Sequence, residues 1–287
     1  ERRQLCLQLH RLLGVDLRLG GGRIARALHG LRIDQLVQPA HHLRGQGHGG
    51  GAYRSLGALR QPSERDDRAL GYDFAIQALK NGYAALSMEM RCFGDRKDQR
   101  PLSVHDGYPH GCQQASMVAL LVGRTMIGER VFDITRALDV IAESFPQIDA
   151  HRIAVMGFSG GSVAAYHAAA FDSRIAAAIC ASSLCTYKAS IAVINHCPDI
   201  YIPNVMHYFD NADIAGLIVP RPLLVVTGEK DPIFPIAGAK ECIAEIQAIY
   251  QSQSAAGACR LVIGPEGHRP YPDLLWPAFS DITRWNV

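Results

Sequence analysis

The chain has 287 residues, 29 basic and 27 acidic side chains, a net charge of +2 and 48% hydrophobic content. That is enough apolar material for the core of one large domain. No apolar run approaches the ~18 residues that a membrane-spanning helix requires, so no membrane partner is expected.

Charge is spread unevenly. Residues 1–68 hold twelve arginines, no lysine and six acids, a net of +6, while the remainder nets −4. A nucleic-acid-binding arm would interleave aromatics with its arginines or gather them on one helix face. Only Tyr53 is present and no such face forms, so the segment reads as irregular and no nucleic-acid partner is expected. The domain reading is a basic segment over 1–68 and a catalytic part over 69–287, within a single domain. Near the start, Leu5 to Leu13 is interrupted by His10 and Arg11, whereas a secretory leader needs an unbroken apolar core. The sequence begins at Glu1, so a processed leader stays open. Eight cysteines show no Cys-x-x-Cys pair and no regular spacing, which reads as packed, reduced thiols in a cytoplasmic protein. His41-His42, His105, His110 with Cys112, and His196 with Cys197 lack the i, i+4 pairing of a helical metal site. Neither a metal nor a cofactor is expected.

In chain order, the pattern predicts a helix from about Arg68 to Lys80 and a strand over Tyr83–Met88. A loop rich in Asp, Arg, His and Gly follows, then a helix across Gly128 to Phe145 with Ile134, Ala137, Leu138 and Ile141 on one face. Arg152-Ile153-Ala154-Val155-Met156 reads as a buried strand that stops at Gly157-Phe158-Ser159-Gly160-Gly161 and passes into a small-residue helix over Gly161–Ala170. A Gly-x-Ser-x-Gly turn between strand and helix lifts its serine above the sheet in a strained conformation, and its glycines make room for the closely packed helix. Arg174–Ser183 is the next strand. Nearly forty residues separate it from the one after, far beyond an ordinary connection of two to six. That insertion carries Tyr201, Tyr208 and Phe209 and is expected to wall a substrate pocket.

Pro222 to Gly228 then reads as a buried parallel strand, followed by Glu229-Lys230-Asp231-Pro232 and a helix from Ala237 to Tyr250. The last strand, Cys259–Gly264, leads into Glu266-Gly267-His268. Ser159, Asp231 and His268 thus each lie just past the carboxyl end of a predicted strand, the edge where open α/β sheets build their sites. Their order is that of nucleophile, acid and base in serine hydrolases with this elbow.

From Gly123 to Pro277 the chain resembles the α/β-hydrolase superfamily, more narrowly its dienelactone-hydrolase and acetylxylan-esterase-like branch. Besides the elbow, the resemblance rests on Asp149-Ala150-His151-Arg152-Ile153, on Phe171-Asp172-Ser173-Arg174-Ile175, and on Ala215 to Pro222. Met88-Glu89-Met90-Arg91-Cys92-Phe93-Gly94-Asp95-Arg96 is similar to the family's Asp-x-Arg-Gly-x-Gly strand end, with Glu89 for the aspartate and Cys92 for the glycine. The resemblance implies a doubly wound, mostly parallel sheet and a serine esterase for small or carbohydrate acetyl esters. Oxyanion donors would be the backbone N–H of Gly160 and a glycine-rich loop. Gln46-Gly47-His48-Gly49-Gly50-Gly51, with His48 or Gly49 as donor, is preferred to Ala27-Leu28-His29-Gly30. Two other functions share these features: a prolyl-oligopeptidase-like peptidase and a non-catalytic binding protein on the hydrolase fold.

Overall fold

Apolar strands with little alternation, linked by helices, dictate a parallel sheet covered on both faces, and the computed structural model has that arrangement. It describes residues 71, 73–93, 96 and 111–285. The segment 1–68, with His48, Gly49 and the alternative loop at His29, lies outside them. The described helices and strands are α1 (Phe74–Lys80), α2 (Gly111–Leu121), α3 (Met126–Ser144), β1 (Ala154–Phe158), α4 (Gly160–Phe171), β2 (Ala177–Ala181), α5 (Asn211–Gly216), β3 (Leu223–Gly228), α6 (Ile236–Ser252), β4 (Cys259–Gly264) and α7 (Pro272–Thr283).

The sheet runs β1-β2-β3-β4, every pair parallel, with Gly157 opposite Cys180, Cys180 opposite Val225 and Val225 opposite Leu261. Alternate side chains leave opposite faces of a strand. Accordingly Val155, Ala178, Cys180, Leu223 and Val225 join one core with α3, α4 and α6. Phe158, Ile179, Ala181, Leu224 and Val226 join a second core, with Phe74 of α1 and Leu275, Trp276 and Phe279 of α7. Helices therefore cover both faces, the doubly wound arrangement that the pattern predicts.

The sequence expectation departs from the structure in three places. Tyr83–Met88 forms no strand and pairs with none among the described residues. A cavity of about 580 Å³ lies between this segment and the open edge of β1, bounded by Leu138 and Ile141 of α3 on one side and Trp276 and Phe279 of α7 on the other. A strand cannot form its ladder across such a gap. The loop expected before Gly128 contains the helix α2, whose Gly, Cys and Ser content carries weak helical signal. The terminal helix α7, unforeseen, starts with Pro272 in its first turn and tolerates Pro277 within.

The long insertion folds as three single-turn 3₁₀ segments and α5. It buries Tyr187, Ile191, Ile200, Ile202 and Val205 in the core beside α4, so it is part of the body rather than a loose flap. Phe209 belongs to that core at 5% exposure, which gives it a packing role.

His167 sits in the middle of α4, fully buried, with Nδ1 2.8 Å from the Val163 carbonyl and Nε2 without a hydrogen-bond partner among the described residues. Burial pushes its pKa down to about 4 from 6.5, opposed in part by the Val163 bond. The unfolded imidazole takes its proton near 6.5 and the folded one only near 4, so protons bind the unfolded chain preferentially across that window. Stability therefore falls as pH falls from 6.5 to 4, by up to about 3 kcal/mol from this residue. Urea titrations at pH 7 and pH 4.5 are expected to show that loss, and His167→Gln should flatten it.

Candidate active site

Position 159 must hold a residue at a turn too tight for ordinary backbone. Ser159 has φ 54° and ψ −126°, a strained conformation for a residue with a Cβ. Its N–H donates to the Ala181 carbonyl at 2.8 Å, and its own carbonyl accepts from Val163 N to start α4. A side chain on Gly157 would bring a Cβ to 2.2 Å from the Gly161 carbonyl oxygen, so that glycine is what lets helix and strand approach. Gly160 opens α4, and its N–H is among the four at a helix start that have no partner within the helix. Ser159 itself is partly exposed.

Asp231 follows β3 in a turn closed by Asp231 N to the Gly228 carbonyl at 3.3 Å. Its side chain is fully buried, and Oδ1 accepts from the N–H groups of Ile233 at 2.9 Å and Phe234 at 3.0 Å. The other oxygen lies 2.8 Å from His268 Nδ1. With the carboxylate ionised, Nδ1 carries the proton and donates it, which leaves Nε2 as the basic nitrogen. Glu229, the neighbouring acid, is exposed and takes no part in this pair.

The loop after β4 is fastened to its neighbours. Lys230 N donates to the Glu266 carbonyl at 2.9 Å, Tyr271 Oη to the Gly267 carbonyl at 2.7 Å, and Ser182 Oγ to the Arg269 carbonyl at 3.2 Å. A Cβ on Gly228 would stand 2.0 Å from the Gly267 carbonyl oxygen, so this approach also requires a glycine. The His268 ring packs against Phe158, centroids 4.7 Å apart, and stacks on Phe234 at 5.9 Å and 19°. Because Phe158 directly precedes Ser159, that contact brings the imidazole to the elbow.

Sequence reasoning missed Phe158 and Phe234 as walls around the histidine, since an apolar residue at a strand end reads only as core. His196, weighed in the sequence with Cys197 as a possible metal pair, comes close to the histidine as well. That ring lies 5.3 Å from Phe234, and its Nε2 is 3.0 Å from Ser190 Oγ, whose hydroxyl donates to the Ile233 carbonyl. Burial lowers the His196 pKa, and the charge of His268 adds to that. Tyr201 and Tyr208 are exposed on the insertion, and Tyr201 Oη reaches the Ile191 carbonyl at 3.2 Å. Among the described contacts, none joins Tyr201, Tyr208 or Phe209 to Ser159, Asp231 or His268. Arg91, in the stretch similar to the family's Asp-x-Arg strand end, bridges Glu129 and Asp133 of α3.

The sequence profile of the acetyl xylan esterase family (AXE1) matches residues 72–216, half of the chain, elbow included. The chain belongs to this family. A curated relative, "Putative hydrolase YtaP" of Bacillus subtilis (strain 168), is 29% identical over 215 residues, which cover 74% of this chain and 68% of that protein. In fold, the chain is similar to a carbohydrate esterase family 15 glucuronoyl esterase from Caldicellulosiruptor kristjansonii. The TM-score is 0.58 at 19% identity, over 74% of this chain and 63% of that one. A glucuronoyl esterase from Solibacter usitatus gives 0.56 at 19% identity, over 79% and 65%. The chain thus spans a little under two thirds of these two structures. The profile match ends at Gly216, before Asp231 and His268.

Proposed function

We propose that the chain is a serine esterase acting on acyl esters of carbohydrates, acetyl esters first, through Ser159, His268 and Asp231. The observation that carries the reading is the buried, doubly anchored Asp231 paired at 2.8 Å with His268 Nδ1, on a ring packed against the residue before the strained Ser159. In this mechanism His268 Nε2 takes the Ser159 proton as Oγ attacks the acyl carbon. Asp231 holds the tautomer and stabilises the imidazolium. The oxyanion forms at the start of α4, where the Gly160 N–H and the positive helix end oppose its charge. His268 then passes the proton to the leaving sugar oxygen, and water repeats the sequence to release the acid.

Family membership supports ester chemistry, and the similarity in fold to glucuronoyl esterases supports a carbohydrate ester. Tyr201 and Tyr208, 43% and 58% exposed on the insertion, are suited to stacking on sugar rings. The second oxyanion donor is assigned to the Gly47–Gly51 loop on sequence alone.

Purified protein is expected to release acetate from acetylated xylan and from peracetylated xylose. Absence of turnover on these and on 4-nitrophenyl acetate would favour the non-catalytic reading of the fold.

A further inference from the structure

The sequence separates Cys112 and Cys197 by 85 positions, yet their sulfurs meet 2.7 Å apart. Cys112 is buried near the start of α2, and Cys197 is half-buried at the head of the 3₁₀ turn Pro198–Ile200 in the insertion. Two residues on, Asp199 Oδ2 is held at 2.5 Å by Arg130 Nη2, with both side chains out of solvent. We propose that Cys112 and Cys197 form a redox-active pair whose disulfide staples α2 to the insertion beside the candidate active site.

Two observations carry this. The sulfurs stand 2.7 Å apart, closer than two unbonded sulfurs ordinarily approach and near the ~2.05 Å of a disulfide. The partly exposed Cys197 gives an incoming oxidant access that Cys112 lacks. With glutathione disulfide as oxidant, Cys197 first exchanges to a mixed disulfide and releases one glutathione. The Cys112 thiolate then attacks Cys197 Sγ and expels the second. Two protein thiols lose two electrons and two protons, and one glutathione disulfide becomes two glutathiones.

The same three side chains, Cys112, Cys197 and Asp199, could also offer ligands to a cation. A zinc ion, with bonds of ~2.3 Å in tetrahedral geometry, would push the two sulfurs apart to roughly 3.7 Å. It would also sit beside the buried Arg130 guanidinium, whose charge opposes it. Among the described residues, Asp199 Oδ1 and Arg130 Nε and Nη1 have no hydrogen-bond partner. The disulfide fits better. Its anchor on the insertion is the neighbour of His196, whose ring rests on Phe234 beside His268.

The test uses the full chain and does not depend on ester turnover. Protein is equilibrated in glutathione buffers from reducing to oxidising, free thiols are trapped with iodoacetamide, and a non-reducing digest is read by mass spectrometry. The expected result is a peptide pair joined through Cys112 and Cys197, disappearing with reductant, and a Tm on the order of 5–10 °C higher in the oxidised form. Cys197→Ser should lose both the linked peptide and the Tm difference. If that variant does not fold, the wild-type peptide map and its Tm in each buffer decide alone. Full alkylation of both cysteines at the most oxidising ratio would overturn the proposal. So would glutathione adducts alone, a Cys92–Cys112 link, or stoichiometric zinc that protects both thiols under reducing conditions.

Discussion

Ser159→Ala is expected to lower ester turnover by on the order of 10⁴ to 10⁶ in kcat, because it removes the attacking atom and leaves only the binding and oxyanion contributions. The fold should survive. The strained backbone at φ 54° is held by Ser159 N to Ala181 O, by Ser159 O to Val163 N and by the Gly157–Gly161 approach, none of which involves the hydroxyl. Alanine is no more strained there than serine, so the thermal midpoint should move by less than about 2 °C. Steady-state assays beside a melting curve check both halves. Turnover within about tenfold of the parent would remove Ser159 from the mechanism.

Asp231→Asn is expected to cost roughly 10⁴-fold in kcat with KM little changed. The surroundings of the carboxylate dictate how the amide must sit. Oδ1 accepts two backbone N–H groups, from Ile233 and Phe234, so the asparagine carbonyl must take that place. Its NH₂ then faces His268 Nδ1, where the carboxylate oxygen had accepted a proton. Two donors cannot share that contact, so the ring adopts the tautomer with its proton on Nε2 and loses its basic nitrogen at the elbow. Glu229 cannot substitute, since it is exposed and outside the pair. A loss below about tenfold would mean that Asp231 is a packing residue with no hold over the tautomer.

The parts legible in the sequence are those whose physics is local. β3 and β4 emerge at Leu223–Gly228 and Cys259–Gly264, where the apolar run of the first and the Leu261-Val262-Ile263 stretch of the second place them. α3 and α6 follow the helical period of their apolar residues to within two residues at each end. Gly-x-Ser-x-Gly announces the elbow because the close approach of strand and helix leaves no room for a Cβ at Gly157. Asp231 and His268 could be paired because strand order fixes which loops meet at the carboxyl edge. The illegible parts depend on distant partners. Tyr83–Met88 has the composition of a strand, but a strand exists only with a neighbour, and a cavity separates it from β1. Phe209 looks like a pocket aromatic in a polar stretch, and only its burial in the same core as Val205 and Ile214 shows its packing role. The meeting of Cys112 with Cys197 joins a helix to an insertion, which no spacing rule covers.

Covalent labelling tests the central claim most directly. The full chain is treated with a fluorophosphonate, residual turnover of an acetyl ester is followed with time, and the adduct is located by peptide mass spectrometry. The account predicts one adduct, on Ser159, appearing in step with complete loss of turnover. Undiminished turnover with Ser159 fully modified, or inactivation through an adduct on any other residue, would contradict it.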